Sequence, residues 1–290
     1  MDSHHLSQRL KCEVILISEL CQITGSFKFR AAWNLVNQID SPGFVAASSG
    51  NFGQALACAT RMRDRRCTII MPDTSARVKI AAVRSYGAKV ELVDVRRKSR
   101  AQRVREISVT LPDDYVASAY DCNHVIDGNA SLGRELADLS PPFDVIIAPV
   151  GGGGLSAGII TGLRSKGVHT SVWGAEPEIA NDASRSLHSG VLIANEKEPT
   201  TLADGARTLS LGTRNFDILV REMKGIIEIP EHLIPVAMKY LHRCGLTVEP
   251  TGALSLAALL ADDTRFAGLR VGCVLSGGNI DQDLYQKLVE

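Results

Sequence analysis

Short apolar runs alternate with helical patterns along the whole chain, and that alternation leaves few folds open. The runs are Val14–Ser18, Phe44–Ser48, Cys67–Met71, Lys89–Val93, Tyr115–Ser118, Asp144–Val150, Ser171–Ala175, Gly225–Ile229 and Val271–Leu275. Helical stretches lie between them, among them Asn51–Arg63 and Ser75–Tyr86; Gly87 closes the second, as suits a left-handed helix end. Strand–helix repetition predicts parallel sheets and an α/β class with two sheet-based domains. Pro/Gly punctuation at Ser41-Pro42-Gly43 and Ser140-Pro141-Pro142 marks the division. Residues 41–121 are expected to form a small α/β domain, and residues 1–40 and 122–290 a larger one.

At 290 residues the chain is long enough to bury well-formed cores. Lys+Arg and Asp+Glu both number 32, and this balance gives no support to nucleic-acid or membrane binding. The basic run Arg96-Arg97-Lys98-Ser99-Arg100 reads as a solvated loop or helix start, with a phosphate or partner contact as the alternative. The seven cysteines show no CxxC or Cys/His spacing, so they read as reduced packing thiols. The Met1–His5 terminus opens no apolar signal run, and no stretch of 18 apolar residues occurs. The expected compartment is the cytoplasm.

In open α/β sheets ligands bind beyond the carboxyl ends of strands, so the loops after the runs carry the search for function. Gly151-Gly152-Gly153-Gly154-Leu155 joins the run Asp144–Val150 to the helical stretch Leu155–Arg164. It reads either as a flexible turn or as a dianion site, because glycines let successive N–H groups converge where a helix adds its positive end. The pattern is neither a P-loop nor GxGxxG. Lys28, in Thr24-Gly25-Ser26-Phe27-Lys28-Phe29-Arg30, stands at the start of a helical stretch. It is either a surface lysine or an amine nucleophile of depressed basicity; Arg30 looks structural. Ser48-Ser49-Gly50-Asn51 begins the next helix and offers either a cap from Ser49 or Asn51 or a carboxylate site. Ser276-Gly277-Gly278-Asn279 ends the last apolar run, either presenting a neutral hydroxyl to a ligand or turning the chain.

These loops, in this order, resemble fold-type II pyridoxal phosphate (PLP) enzymes, the tryptophan synthase β-like fold, and within them the serine/threonine dehydratase and serine racemase family. The resemblance runs from about Glu13 to Ile280. It implies that Lys28 carries PLP as an imine and that Phe27 packs beside the cofactor. It also implies that Asn51 bonds the ring hydroxyl, that Gly151, Gly152, Gly153, Gly154 and Leu155 hold the phosphate, and that Ser276 meets the ring nitrogen. Ser48, Ser49, Gly50, Asn51 and Gln54 are implied to receive the substrate carboxylate, and Gly205 to lie on the opposite cofactor face. Glu176, Ala180 and Asp182 resemble the family's divalent-metal segment, and such oxygen ligands suit Mg²⁺ or Ca²⁺. The chain departs from the family at Phe52, where histidine is common, and at Gly128-Asn129-Ala130-Ser131, where the family has Gly-Gln-Gly-Thr. It also carries less sequence before the first apolar run.

By this resemblance the chain is a PLP-dependent lyase. It would dehydrate and deaminate a β-hydroxy amino acid such as L-serine or L-threonine to a 2-oxo acid and ammonia, and it would act as a homodimer. The nearest rival is a racemase using Lys28 and Ser49 as acid/base groups on opposite faces. A β-replacement enzyme and a PLP-binding module without catalysis are the further alternatives.

Overall fold

All the expected apolar runs form strands, and each strand is parallel to its neighbours. The computed structural model describes residues 3–75 and 77–290. In chain order the elements begin α1 (Ser3–Leu10), β1 (Glu13–Ser18), α2 (Lys28–Gln38), β2 (Gly43–Ala47), α3 (Asn51–Met62), β3 (Arg66–Pro72), α4 (Arg77–Ser85), β4 (Lys89–Val93), α5 (Arg100–Thr110) and β5 (Tyr115–Val116). They continue α6 (Asn123–Ala137), β6 (Val145–Pro149), α7 (Gly154–Ser165), β7 (Ser171–Pro177), α8 (Asp182–Ser189), α9 (Thr213–Glu222), β8 (Gly225–Ile229), α10 (Leu233–Arg243), α11 (Leu254–Ala261), β9 (Arg270–Leu275) and α12 (Gln282–Val289).

One sheet has the order β1-β9-β6-β7-β8 and the other β4-β3-β2-β5. The second is built wholly from residues 43–116. Strands buried on both faces read as unbroken apolar runs, and β6 does so, each of its residues being buried. β5 is shorter than the run Tyr115–Ser118, because the Ser118 hydroxyl accepts the N–H groups of Tyr120 and Asp121 and turns the chain away. The expected helix Ser75–Tyr86 begins in the structure at Arg77; Ala76 lies outside the described residues. Gly87 ends it at φ +80°. α1 has no counterpart in the apolar pattern, yet Leu6 and Leu10 are buried in the core of the five-stranded sheet.

α2 precedes the four-stranded sheet but packs into that sheet's core, where Ala31, Ala32, Leu35 and Val36 meet Phe44, Phe52 and Met71. Behind it, α6 and α7 press together through glycines. A Cβ at Gly162 would lie 2.2 Å from the Ala130 carbonyl oxygen, and one at Gly133 would lie 2.2 Å from that of Ile159. Neither backbone can retreat without separating the helices, which carry Gly154 at one end and Asn129 at the middle of the other. Gly162→Ala is therefore expected to destabilise the protein by about 1–3 kcal/mol, the usual cost of overpacking. A fall in the urea midpoint at unchanged slope checks it.

Candidate active site

The Lys28 loop leaves β1 and is tied to the loop after β9. Ser26 and Gly277 form an isolated antiparallel bridge. The Phe27 N–H donates to the Ser276 carbonyl at 3.0 Å, and the Gly278 N–H donates to that of Gly25 at 3.0 Å. Gly25 makes the turn at φ +70°, a conformation open to glycine. Lys28 is thus delivered as the first residue of α2 with its amine in the cleft between the sheets' carboxyl ends. Its Nζ donates to the Ala119 carbonyl at 2.9 Å. The amine stands 4.9 Å from the centre of the Phe27 ring and 5.8 Å from that of Phe52. Burial among these groups lowers its pKa to about 8, against the opposing pull of the Glu249 carboxylate. Phe52 therefore contributes apolar surface to the lysine. Arg30 is structural, as expected, but half-buried between elements rather than spread on a helix surface. It holds both carboxylate oxygens of Glu19 (2.7 and 2.9 Å) and both of Glu135 (2.6 and 2.7 Å).

The glycine loop is a nest. Gly153 caps α7 at φ +85°, and among the described residues no protein acceptor takes the N–H groups of Gly151 through Ser156. A run of free N–H groups at a helix start binds a dianion. The loop is braced from three sides. Asn215 Nδ2 donates to the carbonyls of Gly152 (2.6 Å) and Tyr120 (3.1 Å), and Asn129 Nδ2 donates to that of Gly154 (3.0 Å). A Cβ at Gly152 would lie 2.3 Å from the Tyr120 ring. Gly205 packs on the outer glycine, its carbonyl 2.6 Å from where a Cβ of Gly151 would stand, and its N–H donates to Thr251 Oγ1. Leu155 is buried behind the loop.

The Ser48–Asn51 loop follows β2. The expected cap by Ser49 or Asn51 is replaced by Ser48, whose hydroxyl accepts the N–H groups of Gly53 (2.9 Å) and Gly50 (3.4 Å). The reason is Gly50, which is extended at φ −131° and swings Ser48 under the first turn of α3. Ser49 and Gln54 remain half-buried. The N–H groups of Ser49, Asn51 and Phe52 have no described acceptor. Asn51 joins Asn279, of the loop after β9, to Glu249, which no motif singled out. Its Nδ2 donates to Glu249 Oε1 at 2.7 Å, and its Oδ1 accepts from Asn279 Nδ2 at 2.9 Å. The Ser276 residue is buried at the end of β9, where its carbonyl is taken by Phe27. Glu249 and Asn215 carry no local motif, and nothing in their immediate sequence sets them apart.

Glu176, at the end of β7, and Asp182, opening α8, are both buried, as is Ala180 in the short 3₁₀ turn between them. Burial, with the Asp182 charge adding to it, holds the Glu176 carboxyl well above the usual range. Burial pushes Asp182 up to about 7. Asp182 Oδ1 accepts from Asn195 at 2.8 Å, while Oδ2 is buried without a described partner. The basic run is a helix start: Ser99 caps α5, Arg96 and Arg97 pair with Asp94, and Arg100 reaches Glu198 at 3.6 Å.

A desolvated amine, a dianion nest and a buried serine, gathered where two parallel sheets meet, define an enzyme that works through PLP. The chain belongs to the family described as pyridoxal-phosphate dependent enzyme, whose model matches residues 1–277. It is 34% identical to an L-threo-3-hydroxyaspartate ammonia-lyase of Pseudomonas sp over 99% of this chain and 91% of that protein. It is 33% identical to a serine racemase of Schizosaccharomyces pombe over 98% of this chain and 89% of that one. Among solved structures it is similar to a threonine deaminase of T.th., with a TM-score of 0.90 and 38% identity over 97% of this chain and 92% of that chain. It is also similar to maize serine racemase, with a TM-score of 0.93 and 28% identity over 99% and 90%. The fold is therefore that of fold-type II PLP enzymes.

In protein stripped of cofactor, acylation of the Lys28 amine is expected to rise with a midpoint near pH 8, against about 10.4 for an ordinary lysine. Peptide mapping of the labelled site across pH measures it.

Proposed function

We propose that the protein is an ammonia-lyase that eliminates water from a β-hydroxy amino acid and releases a 2-oxo acid and ammonia. The observation that carries this reading is Lys28: an amine with a pKa near 8, held in the cleft between Phe27 and Phe52. Close to neutral pH such an amine takes a proton as readily as it gives one. PLP, when bound, supplies the electron sink that makes the substrate α-proton removable. The nest from Gly151 to Leu155 would hold its phosphate, Asn51 its ring oxygen and Ser276 its ring nitrogen, with Gly205 on the far face. A hydroxyl at Ser276 rather than a carboxylate leaves that nitrogen without an acid, which favours prompt departure of the β-hydroxyl over long storage of negative charge. The free N–H groups of Ser49, Asn51 and Phe52 would orient the substrate carboxylate, with Ser48, Gly50 and Gln54 shaping that wall. Lys28 Nζ would then remove the α-proton.

Names among the relatives support a hydroxy amino acid: L-threo-3-hydroxyaspartate for the Pseudomonas protein, and L-threonine for an L-threonine ammonia-lyase of Geobacter sulfurreducens at 32% identity. A second reading, serine racemase, is supported by the half-buried Ser49, which could return a proton on the face opposite Lys28, and by the name of the Schizosaccharomyces pombe relative. A homodimer and a cytoplasmic setting belong to the same proposal; the seven free cysteines support a reducing compartment.

The test is a panel of L-serine, L-threonine and L-threo-3-hydroxyaspartate scored for 2-oxo acid, ammonia and inverted enantiomer. Oxo acid release should dominate and should fall by about a thousandfold or more in Lys28→Ala. Ser49→Ala should abolish inversion and spare most elimination; a wild type that only inverts, or binds PLP without turnover, overturns the lyase reading.

Glu176, Asp182 and the Ala180 carbonyl are further proposed to hold Mg²⁺ or Ca²⁺. The oxygen-only donor set and the partnerless Asp182 Oδ2 support this fit. Either ion added to chelator-treated protein should raise the melting temperature by about 5 °C at a hundredfold excess over its dissociation constant. Asp182→Asn should remove that rise.

A further inference from the structure

Glu249 is a buried carboxyl between β8 and β9 that the chemistry above does not use. It leads into the short 3₁₀ turn before α11, and its own N–H donates to the Gly277 carbonyl at 3.1 Å. Its Oε1 lies 2.5 Å from where a Cβ of Gly277 would stand, so a side chain there would displace the carboxyl. The bond it accepts from Asn51 is the last of a series. The Thr24 carbonyl, which can only accept, takes a hydrogen bond from Asn279 Nδ2 at 2.7 Å. The same nitrogen donates to Asn51 Oδ1, and this forces Asn51 to turn its own nitrogen toward Glu249. Each amide orientation follows from the one before it, and Glu249 terminates the series as an acceptor.

We propose that Glu249 is a positioning residue for the cofactor: by accepting one Asn51 N–H it holds the amide so that the remaining N–H can only donate, toward the ring oxygen. This rests on the assignment of Asn51 to that oxygen. The series joins four separate segments, the Lys28 loop, the loop after β9, the start of α3 and the turn before α11, so the donor is fixed before the cofactor arrives. Without Glu249 the Asn51 amide would lose its acceptor, and a buried N–H left unpaired is costly. The carboxyl has a second effect through charge. Burial, with Asp204 adding to it, raises Glu249 to about 8, while the Asn51 bond and the ammonium groups of Lys79 and Lys28 pull the other way. The same charge acts on Lys28 in return, favouring a proton at Nζ.

The experiment uses the PLP-loaded protein and reads the bound cofactor itself, by its dissociation constant and by the pH dependence of its visible absorption. Glu249→Ala should weaken PLP about tenfold, the equivalent of one lost hydrogen bond at a buried site. Asn51→Ala should weaken it similarly, and the double variant should be no worse than either, because the two act through one bond. Glu249→Gln keeps an acceptor oxygen and should restore affinity to within about twofold. Having lost a carboxyl that is partly ionised near pH 8, it should lower the midpoint of the absorption change, which reports the proton at Lys28 Nζ, by up to about one pH unit. A carboxyl that served only packing would not move that midpoint in the glutamine variant. Unchanged affinity in Glu249→Ala, full additivity with Asn51→Ala, or an unmoved midpoint in Glu249→Gln each overturns the proposal. Should Glu249→Ala not fold, Glu249→Gln and Asn51→Ala carry the test: an unmoved midpoint in the first, or unchanged affinity in the second, overturns the proposal. All these readouts survive a wild type that turns over no hydroxy amino acid, so failure of the lyase reading remains a separate result.

Discussion

The removal of the Lys28 amine from water is the act on which the site depends. Taking an ammonium out of solvent is costly, and the structure meets the cost in two ways. It lowers the basicity of the amine, and it supplies the Ala119 carbonyl and the Glu249 carboxyl as partners of opposite polarity. Ala119 belongs to the segment that turns away early from β5, Glu249 to the turn before α11, and Lys28 itself to a loop stapled to the end of β9. Both sheets must be in place before the amine has its two polar neighbours. Folding and the preparation of the nucleophile are one event.

The same logic explains why the site loops are rich in glycine. The nest around Gly153 needs a backbone turned to positive φ, and its inner surface is pressed so closely by Tyr120 and Gly205 that side chains at Gly152 or Gly151 would collide. Asn129 and Asn215 take the loop's carbonyl oxygens. With the carbonyls engaged from behind, the N–H groups are left facing the cleft, and that orientation, rather than flexibility, turns four glycines into an anion site.

Much of this was legible in the chain. The parallel strands are apolar runs bounded by glycine and polar turns, so their positions follow from periodicity alone, and each loop of interest sits directly after one of them. Where the pattern misled, side chains competed with the ladder: the Ser118 hydroxyl cuts β5 short, and Ser48 displaces Ser49 and Asn51 as the cap of α3. Glu249, Asn215 and Tyr120 were not legible as site residues. Asn51 and Glu249 stand 198 positions apart, and Asn215 and Tyr120 stand 95 apart. No local spacing encodes an interaction of that range. α2 precedes the four-stranded unit in sequence, while its apolar face joins that unit's core.

Two sets of buried carboxyls show how burial is answered differently in one molecule. Glu249 and the pair Glu176 and Asp182 are all driven upward first by desolvation. Glu249 is answered from within the chain, by an amide N–H and by the ammonium groups of Lys28 and Lys79. Glu176 has backbone N–H groups, and the charges that act on it, Asp182 and Glu228, have its own sign. Asp182 has the Asn195 amide, backbone N–H groups and the charge of Arg185, yet keeps one oxygen with no described partner. Such an arrangement is stable either with a proton held on one carboxyl or with an outside cation between them. The contrast separates a carboxyl answered by an amide and two ammonium groups from a pair answered mainly by N–H groups and one arginine, with one oxygen left without a described partner.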